Sequence, residues 1–550
     1  LHDALMWMHA LTEGEIAATG HWRELLQRLL EQGRVVGIAA PGGPSLWTAV
    51  ERLPVWHAAV PKLEVANEVG VPAEFAAVAW EREAAVVEIV RGRLEGVGPI
   101  RSVVMATALG LGQADVDGAL LRLEAEGFAM RGRFTAPDVE LEWCERRLLA
   151  RIHRYTVKRL RAEIEPVSAA DCMRFLLNWQ HVAPESRMSG PDAVAAMVGV
   201  LEGYEAPAAA WETELLPARV SDYEPEWLDE LCLKGRAAWM RVSRSRPDND
   251  TTPAAGWPVR VTPITLLSRR NLPMLATLMP ATELPLLRST TQAIYDYLSA
   301  HGASFFDEIV SGSGVLRTQA EESIGELVSL GLLTSDSFIG LRALLLPLDR
   351  RKPIPGGRRR RRAALFGIED AGRWTLSRRV QSGAAQGGGG DAIEQVARLL
   401  LKRYGVVFWR LLERESAWLP PWRDLLRAFR RLEARGEIRG GRFVGGFSGE
   451  QFALPEAVTG LRAARRAPRK GQQVAICGAD PLNLVGILTP GPKVPALTGN
   501  RILYRDGVPI AWSIAGTVCL AGSLDAGEQH AARDALIRRH ALAPSLGYLA

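Results

Sequence analysis

The sequence predicts an α+β, mainly helical chain of tandem winged-helix domains followed by a C-terminal β-barrel. Three observations predict it. A helix–glycine–strand unit recurs four times, the segment after Ala467 breaks into short strand-like runs, and the 550 residues are enough for about three to five domains.

The first copy of the unit is Trp22, Leu26 and Leu29, then Gly33 and RVVGIA. The second is Val116, Leu120 and Leu123, then Gly127 and FAMRGRF. The third is Ala320, Ile324 and Leu327, then Gly331 and LLTSDSFIGLRALL. The fourth is Leu425, Phe429 and Leu432, then Gly436 and EIRGGRFVGGF. Each trio lies at i, i+4, i+7, one face of a helix. A glycine four residues after the last leucine stands where a left-handed helix cap belongs. The residues beyond each glycine read as strand, turn, strand. Further helical stretches lie upstream, at 5–10, 84–90, 294–298 and 393–401. Helix, turn, helix, hairpin is the order of a winged helix. A single such junction occurs in many folds; four with the same upstream helix specify this one. Their irregular spacing excludes a tight solenoid.

Winged helices serve as packing modules as well as DNA readers, and charge separates the copies. The second helix of the fourth copy carries Arg423, Arg427, Arg430, Arg431 and Arg435, and its wing adds Arg439 and Arg442. The guanidinium fork suits phosphates and guanine edges, and acids on this helix are sparse (Asp424, Glu433). In the third copy Glu321, Glu322 and Glu326 crowd the same helix, so a structural role is expected there. Between the two lies DRRKPIPGGRRRRR at 349–362, and later QGGGG. This reads as a flexible joint whose Arg358, Arg359 and Arg360 supply sequence-blind phosphate affinity, or as a merely solvated linker.

Within 146–241, RRLLARIHRYTVKRLRAEIEP reads as a long basic helix that stops before Pro166, and Ser168 as the N-cap of the next. Tryptophan is dense there, with Trp179, Trp211, Trp227 and Trp239. Core packing is one reading; stacking on an unpaired base is the other, with Trp179 and Trp211 as candidates. After Ala467, VAICG, LVGIL, RILYRDG and PIAWSIA read as short strands. Asp506-Gly507 reads as a hairpin turn and 528–539 as a last helix.

Hydrophobic residues make up 47% and charged residues 23%, globular values that exclude a disordered chain. A net charge of +5 and a pI near 9.0 fit a nucleic-acid partner without demanding one. The five cysteines are scattered and lack any Cys-x-x-Cys pair, which points to a reducing compartment and away from zinc. There is no His-Glu-x-x-His helix, so no metal site is expected. There is no Gly-x-x-x-x-Gly-Lys-Ser/Thr loop, so no ATPase site and no cofactor are expected. No signal pattern or spanning apolar run is visible, so a cytoplasmic, nucleoid-associated protein without a membrane partner is expected. A start at Leu1, already in a helix, reads as a cut within a larger polypeptide.

RIHRYTVKRLRAEIEPVSAADCMRFLLNWQHV, WETELLPARV, RRLEARGEIRGGRFVGGFSGEQFALPEA and ADPLNLVGIL together resemble the C-terminal half of Lhr, the bacterial large helicase-related proteins. The resemblance covers nearly the whole chain. It implies a region located after an ATP-driven helicase core, with ATP and magnesium belonging to that core. It implies tandem winged helices with a β-barrel, assembly as a homo-tetramer, and DNA, single-stranded or damaged, as partner. It also implies a fold similar to the AlkZ-type DNA glycosylases and an associated uracil-DNA glycosylase activity. The alternative is a non-enzymatic platform that binds DNA and tetramerises.

Base removal needs a flipped nucleotide, a stacking wall and a group that orients water. AlkZ-type enzymes use a Gln-apolar-Gln or Gln-apolar-Asp pair. The matching place here is LEGYEAPAAA, where Glu205 takes the first position and Pro207 the second, so the pair is absent as such. Glu205, Glu212 and Asp480 are the candidate carboxylates, each with an alternative structural role. The expected division is winged helices at 1–60, 61–145, 271–348 and 391–466, an AlkZ-like helical and winged-helix block at 146–270, a linker at 349–390 and the barrel with its terminal helix at 467–550.

Overall fold

The computed structural model describes residues 1–136, 140–162, 164–243, 259–278, 285–345, 367–377, 389–522 and 524–538. The chain is mainly helical and divides into two compact units, Leu1–Leu160 and Arg161–Ala550. Arg358, Arg359 and Arg360 lie outside the described residues.

The first unit holds two winged helices. The first runs through helices His2–Met8, Glu13–Ala18 and Trp22–Glu31, then strands Val35–Ala39 and Ser45–Ala49. Its second helix begins at a capping box, with Thr12 and Glu15 each satisfying the other's backbone N–H. The second runs through Arg82–Gly96, Ser102–Leu109 and Gln113–Ala125 to strands Ala129–Gly132 and Glu142–Glu145. Val116, Leu120 and Leu123 are fully buried, as their spacing predicts.

The second unit holds three winged helices. Two are those expected from the repeat, with third helices Arg317–Ser329 and Trp422–Ala434. The other has no counterpart among the four sequence copies. It comprises Pro191–Val200, the broken helix from Ala208 to Arg219, Pro225–Leu233, and strands Ala206–Pro207, Ala237–Met240 and Pro263–Ser268. Its sheet places the last strand between the other two, the same order as in its two neighbours.

One device closes all five third helices. Gly33, Gly127, Gly235, Gly331 and Gly436 have φ between +65° and +76°. The N–H after each glycine donates to a carbonyl five residues back, as Arg34 does to Leu29 and Glu437 to Leu432. This is a Schellman cap, which favours glycine because it lacks a Cβ.

Four expectations are corrected. The segment FIGLRALL in the third copy is a helix, Phe338–Leu345, not a strand. Its leucines and alanine favour helix, and its turn places Arg342 against buried carboxylates. The missing strand of that wing is Arg373–Leu376, inside the stretch expected to be linker. It pairs with both Leu333–Ser335 and Ser304–Phe305. Among the described residues no closed C-terminal barrel is seen. Strands Gln473–Cys477, Arg501–Arg505, Val508–Ile514 and Thr517–Leu520 form an open four-stranded sheet, its two edge strands unjoined. LVGIL, expected to be a strand, folds into turns in which Leu488 and Thr489 donate back to the Leu484 carbonyl and Gly486 takes φ +75°. The final helix, Ala526–Ile537, covers the sheet by setting Ala532 and Leu536 against Leu503, Ile510 and Ala511.

Among the described residues no helix is long and apolar enough to cross a membrane, and no group of three or more His, Cys, Asp or Glu is placed to hold a metal ion.

Candidate nucleic-acid interface

The helix Trp422–Ala434 buries Leu425, Ala428, Phe429 and Leu432 along one stripe. That packing turns its arginines outward. Side-chain exposure falls from 80% at Arg423 through 72% at Arg427 and 58% at Arg430 to 50% at Arg431 and 46% at Arg435. Arg439 and Arg442 on the wing are also exposed.

The arginines are not bare. Arg427 meets Asp424 at 3.3 Å, Arg430 meets Glu450 at 2.7 Å, and Arg435 meets Glu437 at 2.7 Å and also Glu394. Arg435 and Arg398 hold the Glu394 carboxyl below its ordinary range, and Arg398 does the same for Glu437. Three of these acids come from other elements, which is why the helix sequence alone looked free of them. Such exposed pairs are worth little and exchange readily for phosphate.

The other third helices offer less positive charge. Gln113–Ala125 carries Asp115, Asp117 and Glu124, and Pro225–Leu233 carries Glu226, Asp229 and Glu230. In Arg317–Ser329, Glu326 is held by Arg288 and Thr291.

The candidate base-excision residues sit differently. Glu212 is 1% exposed. Its carboxylate accepts from Arg342 Nε at 2.9 Å, from Arg342 Nη2 at 2.8 Å and from the Tyr223 hydroxyl at 2.8 Å. Asp480, also 1% exposed, accepts two bonds from Arg219 at 2.8 and 2.9 Å and one from the Leu482 N–H at 2.9 Å. Glu205 is only half-buried. One of its oxygens accepts from the Val242 and Ser243 N–H groups at 3.0 and 2.7 Å, closing the end of strand Ala237–Met240. Trp211 is wholly buried and donates to the Ile264 carbonyl. Trp179 is half-buried, packs against Phe175 with ring centres 5.3 Å apart and the rings tilted by 37°, and donates to the Lys402 carbonyl. The three carboxylates do not converge on a shared hydrogen-bond partner.

Residues 389–473 match the family description "Large helicase-related protein, winged-helix domain", as do residues 167–255. Two of the chain's winged helices thus match the Lhr winged-helix description. The chain is 28% identical to the "Lhr helicase/ probable uracil glycosylase" of Mycolicibacterium smegmatis over 97% of its own length and 35% of that protein. It is 27% identical to the "Lhr helicase/uracil glycosylase" of Escherichia coli over 71% of its length and 26% of that protein. The chain thus spans about a third or less of these relatives. Among solved structures it is similar to the Streptomyces sahachiroi DNA glycosylase AlkZ, with a TM-score of 0.38 and 13% identity, covering 68% of this chain and 96% of that one.

The Lhr-type match at 167–255 contains the segment that sequence reasoning read least well. From Ala208 to Arg219 runs a helical rod whose middle, Trp211–Leu215, is π-wound, the Leu216 N–H reaching back to the Trp211 carbonyl. Pro217 has no N–H to give, and the wider turn falls just before it. Three buried charges leave this rod: Glu212 to Arg342, Glu214 to Arg501, and Arg219 to Asp480. The rod therefore ties its own winged helix to the next one and to the C-terminal sheet. Arg219 and Arg342 are fully buried, and no local sequence pattern marks either as a partner.

Proposed function

We propose that this chain is a DNA-binding module of an Lhr-type DNA repair protein, in which four winged helices serve mainly as scaffold and the helix Trp422–Ala434 with its wing contacts the phosphate backbone. The observation that carries this reading is the outward fan of Arg423, Arg427, Arg430, Arg431 and Arg435 on a helix otherwise packed into the core. In the Lhr reading ATP and magnesium act in a preceding core, and the chain assembles as a homo-tetramer. Light scattering at micromolar concentration that returns the 60.0 kDa monomer rejects the tetramer. Replacing Arg427, Arg430 and Arg431 with alanine should weaken binding to all DNA sequences alike, because phosphate contacts carry no sequence information. Unchanged affinity removes this helix as the contact.

A second reading, uracil excision, is favoured by the two relatives, a probable uracil glycosylase and a uracil glycosylase. The buried pairing of Glu212 and Asp480 leaves Glu205 as the carboxylate best able to meet a nucleotide. Glu205→Gln should then lower alkali-revealed cleavage of uracil DNA by about a hundredfold. Full activity in that variant removes Glu205 from the chemistry. If the parent chain itself shows no cleavage with EDTA present, the platform reading stands alone.

A further inference from the structure

The helix Arg146–Ala162 contains no acidic residue. Arg147, Arg151, Arg154, Lys158 and Arg161 stand at i, i+4, i+7, i+11 and i+14. At 100° per residue they fall on one face as a single stripe. Seventeen residues make this helix about 25 Å long. Arg147, Arg151, Arg154 and Lys158 are exposed and have no acidic partner among the described residues. Arg161 alone of the five is anchored. It meets Glu433 at 2.5 Å and Glu450 at 3.3 Å, beside the basic helix and wing already described. Tyr155, one turn from Arg151 and next to the stripe, is 69% exposed.

A solvated helix face normally interleaves acids with bases. Like charges at i, i+4 destabilise a helix, so an uninterrupted cationic stripe is unfavourable unless a polyanion neutralises it. An aromatic ring left in water beside that stripe matches an unpaired base, since stacking on aromatic side chains is how single strands are held without sequence preference. A duplex keeps its bases out of reach of such a ring.

We propose that the helix Arg146–Ala162 is a second DNA site, a rail along which a single strand lays its phosphates on Arg147, Arg151, Arg154 and Lys158 and stacks a base on Tyr155. This deepens the DNA-binding reading and rests on it for the identity of the partner.

The test is fluorescence anisotropy of the whole chain with a labelled 30-nucleotide oligo-dT and with a 30-base-pair duplex, over a range of salt. Substituting alanine at all four stripe positions removes up to four phosphate contacts. It should flatten the plot of log affinity against log salt for oligo-dT by about 2 to 3, at roughly 0.7 per contact. Alanine favours helix, and circular dichroism checks that helicity is kept. A variant with lysine at the three arginine positions retains the charge and should retain the slope. Tyr155→Ala should weaken oligo-dT binding about fivefold or more and leave the duplex unchanged. An unaltered slope in the alanine variant overturns the rail, as does a lysine variant that fails like the alanine one. An equal loss on duplex and single strand in Tyr155→Ala overturns the single-strand assignment. If only the Arg427, Arg430 and Arg431 variant weakens binding, the rail is wrong and the proposed function stands; if only the stripe variant does, the reverse holds.

Discussion

Asp480 and Glu212 each commit both carboxylate oxygens to a buried arginine. Removing one partner leaves a cation in a dry place, which typically costs about 3–5 kcal/mol. Asp480→Asn and Glu212→Gln should therefore lower the stability of the second unit by about that amount in urea unfolding. Loss of any activity in these variants should track loss of fold, and a full-stability Glu212→Gln protein contradicts the structural assignment. His9 offers a test by pH. It is buried, its Nδ1 lies 3.1 Å from the Trp7 carbonyl, and its Nε2 has no partner. Burial, then the Arg52 charge, pushes its pKa down from 6.5 to about 4. The unfolded chain thus takes up this proton first as pH falls, so stability is complete above pH 6.5 and is lost progressively between 6.5 and 4. The loss reaches about 3 kcal/mol at 1.36 kcal/mol per unit. His9 has φ +62°, so His9→Asn, which tolerates that backbone, is the fitting control. It should flatten the acid limb of first-unit unfolding followed by hydrogen exchange; an unchanged limb assigns the loss to other groups.

At the level of elements, much of the fold was legible because each winged helix ends its third helix on a left-handed glycine. Gly33, Gly127 and Gly436 have open space where a Cβ would stand, so alanine there meets only backbone strain. Gly127→Ala should cost about 1–2 kcal/mol, read as a lowered denaturant midpoint with unchanged slope; a cost near zero would contradict the cap. The winged helix inside the block 146–270 does not repeat the four-copy unit, for a local reason. Its third helix starts at Pro225, one turn late, so Leu228, Leu231 and Gly235 preserve only the last part of the pattern, with Glu224 where an apolar residue was sought. The barrel expectation failed because alternation and glycine spacing report strands, not closure. Asp506-Gly507 was legible since both residues adopt positive φ in the hairpin, and Gly507 is required twice over, because the Ala170 carbonyl stands against the place of a Cβ.

At the scale of the whole chain, a net charge of +5 conceals strong local asymmetry. Other third helices are acidic or mixed, and positive charge gathers on Trp422–Ala434 and Arg146–Ala162. The arginines themselves were legible from sequence; their acidic partners Glu394, Glu437 and Glu450 were not, because these arrive from elements that only the tertiary fold brings near. The same holds for Glu212 and Asp480, whose buried charges are met by Arg342 and Arg219, distant in sequence. The most direct measurement is the salt dependence of DNA affinity for the parent chain and for the variant with alanine at Arg427, Arg430 and Arg431. The account predicts a steep decline of affinity with salt in the parent and a slope shallower by about 2 to 3 in the variant, with weaker binding on every DNA sequence tried. Identical slopes and affinities in the two proteins would contradict it.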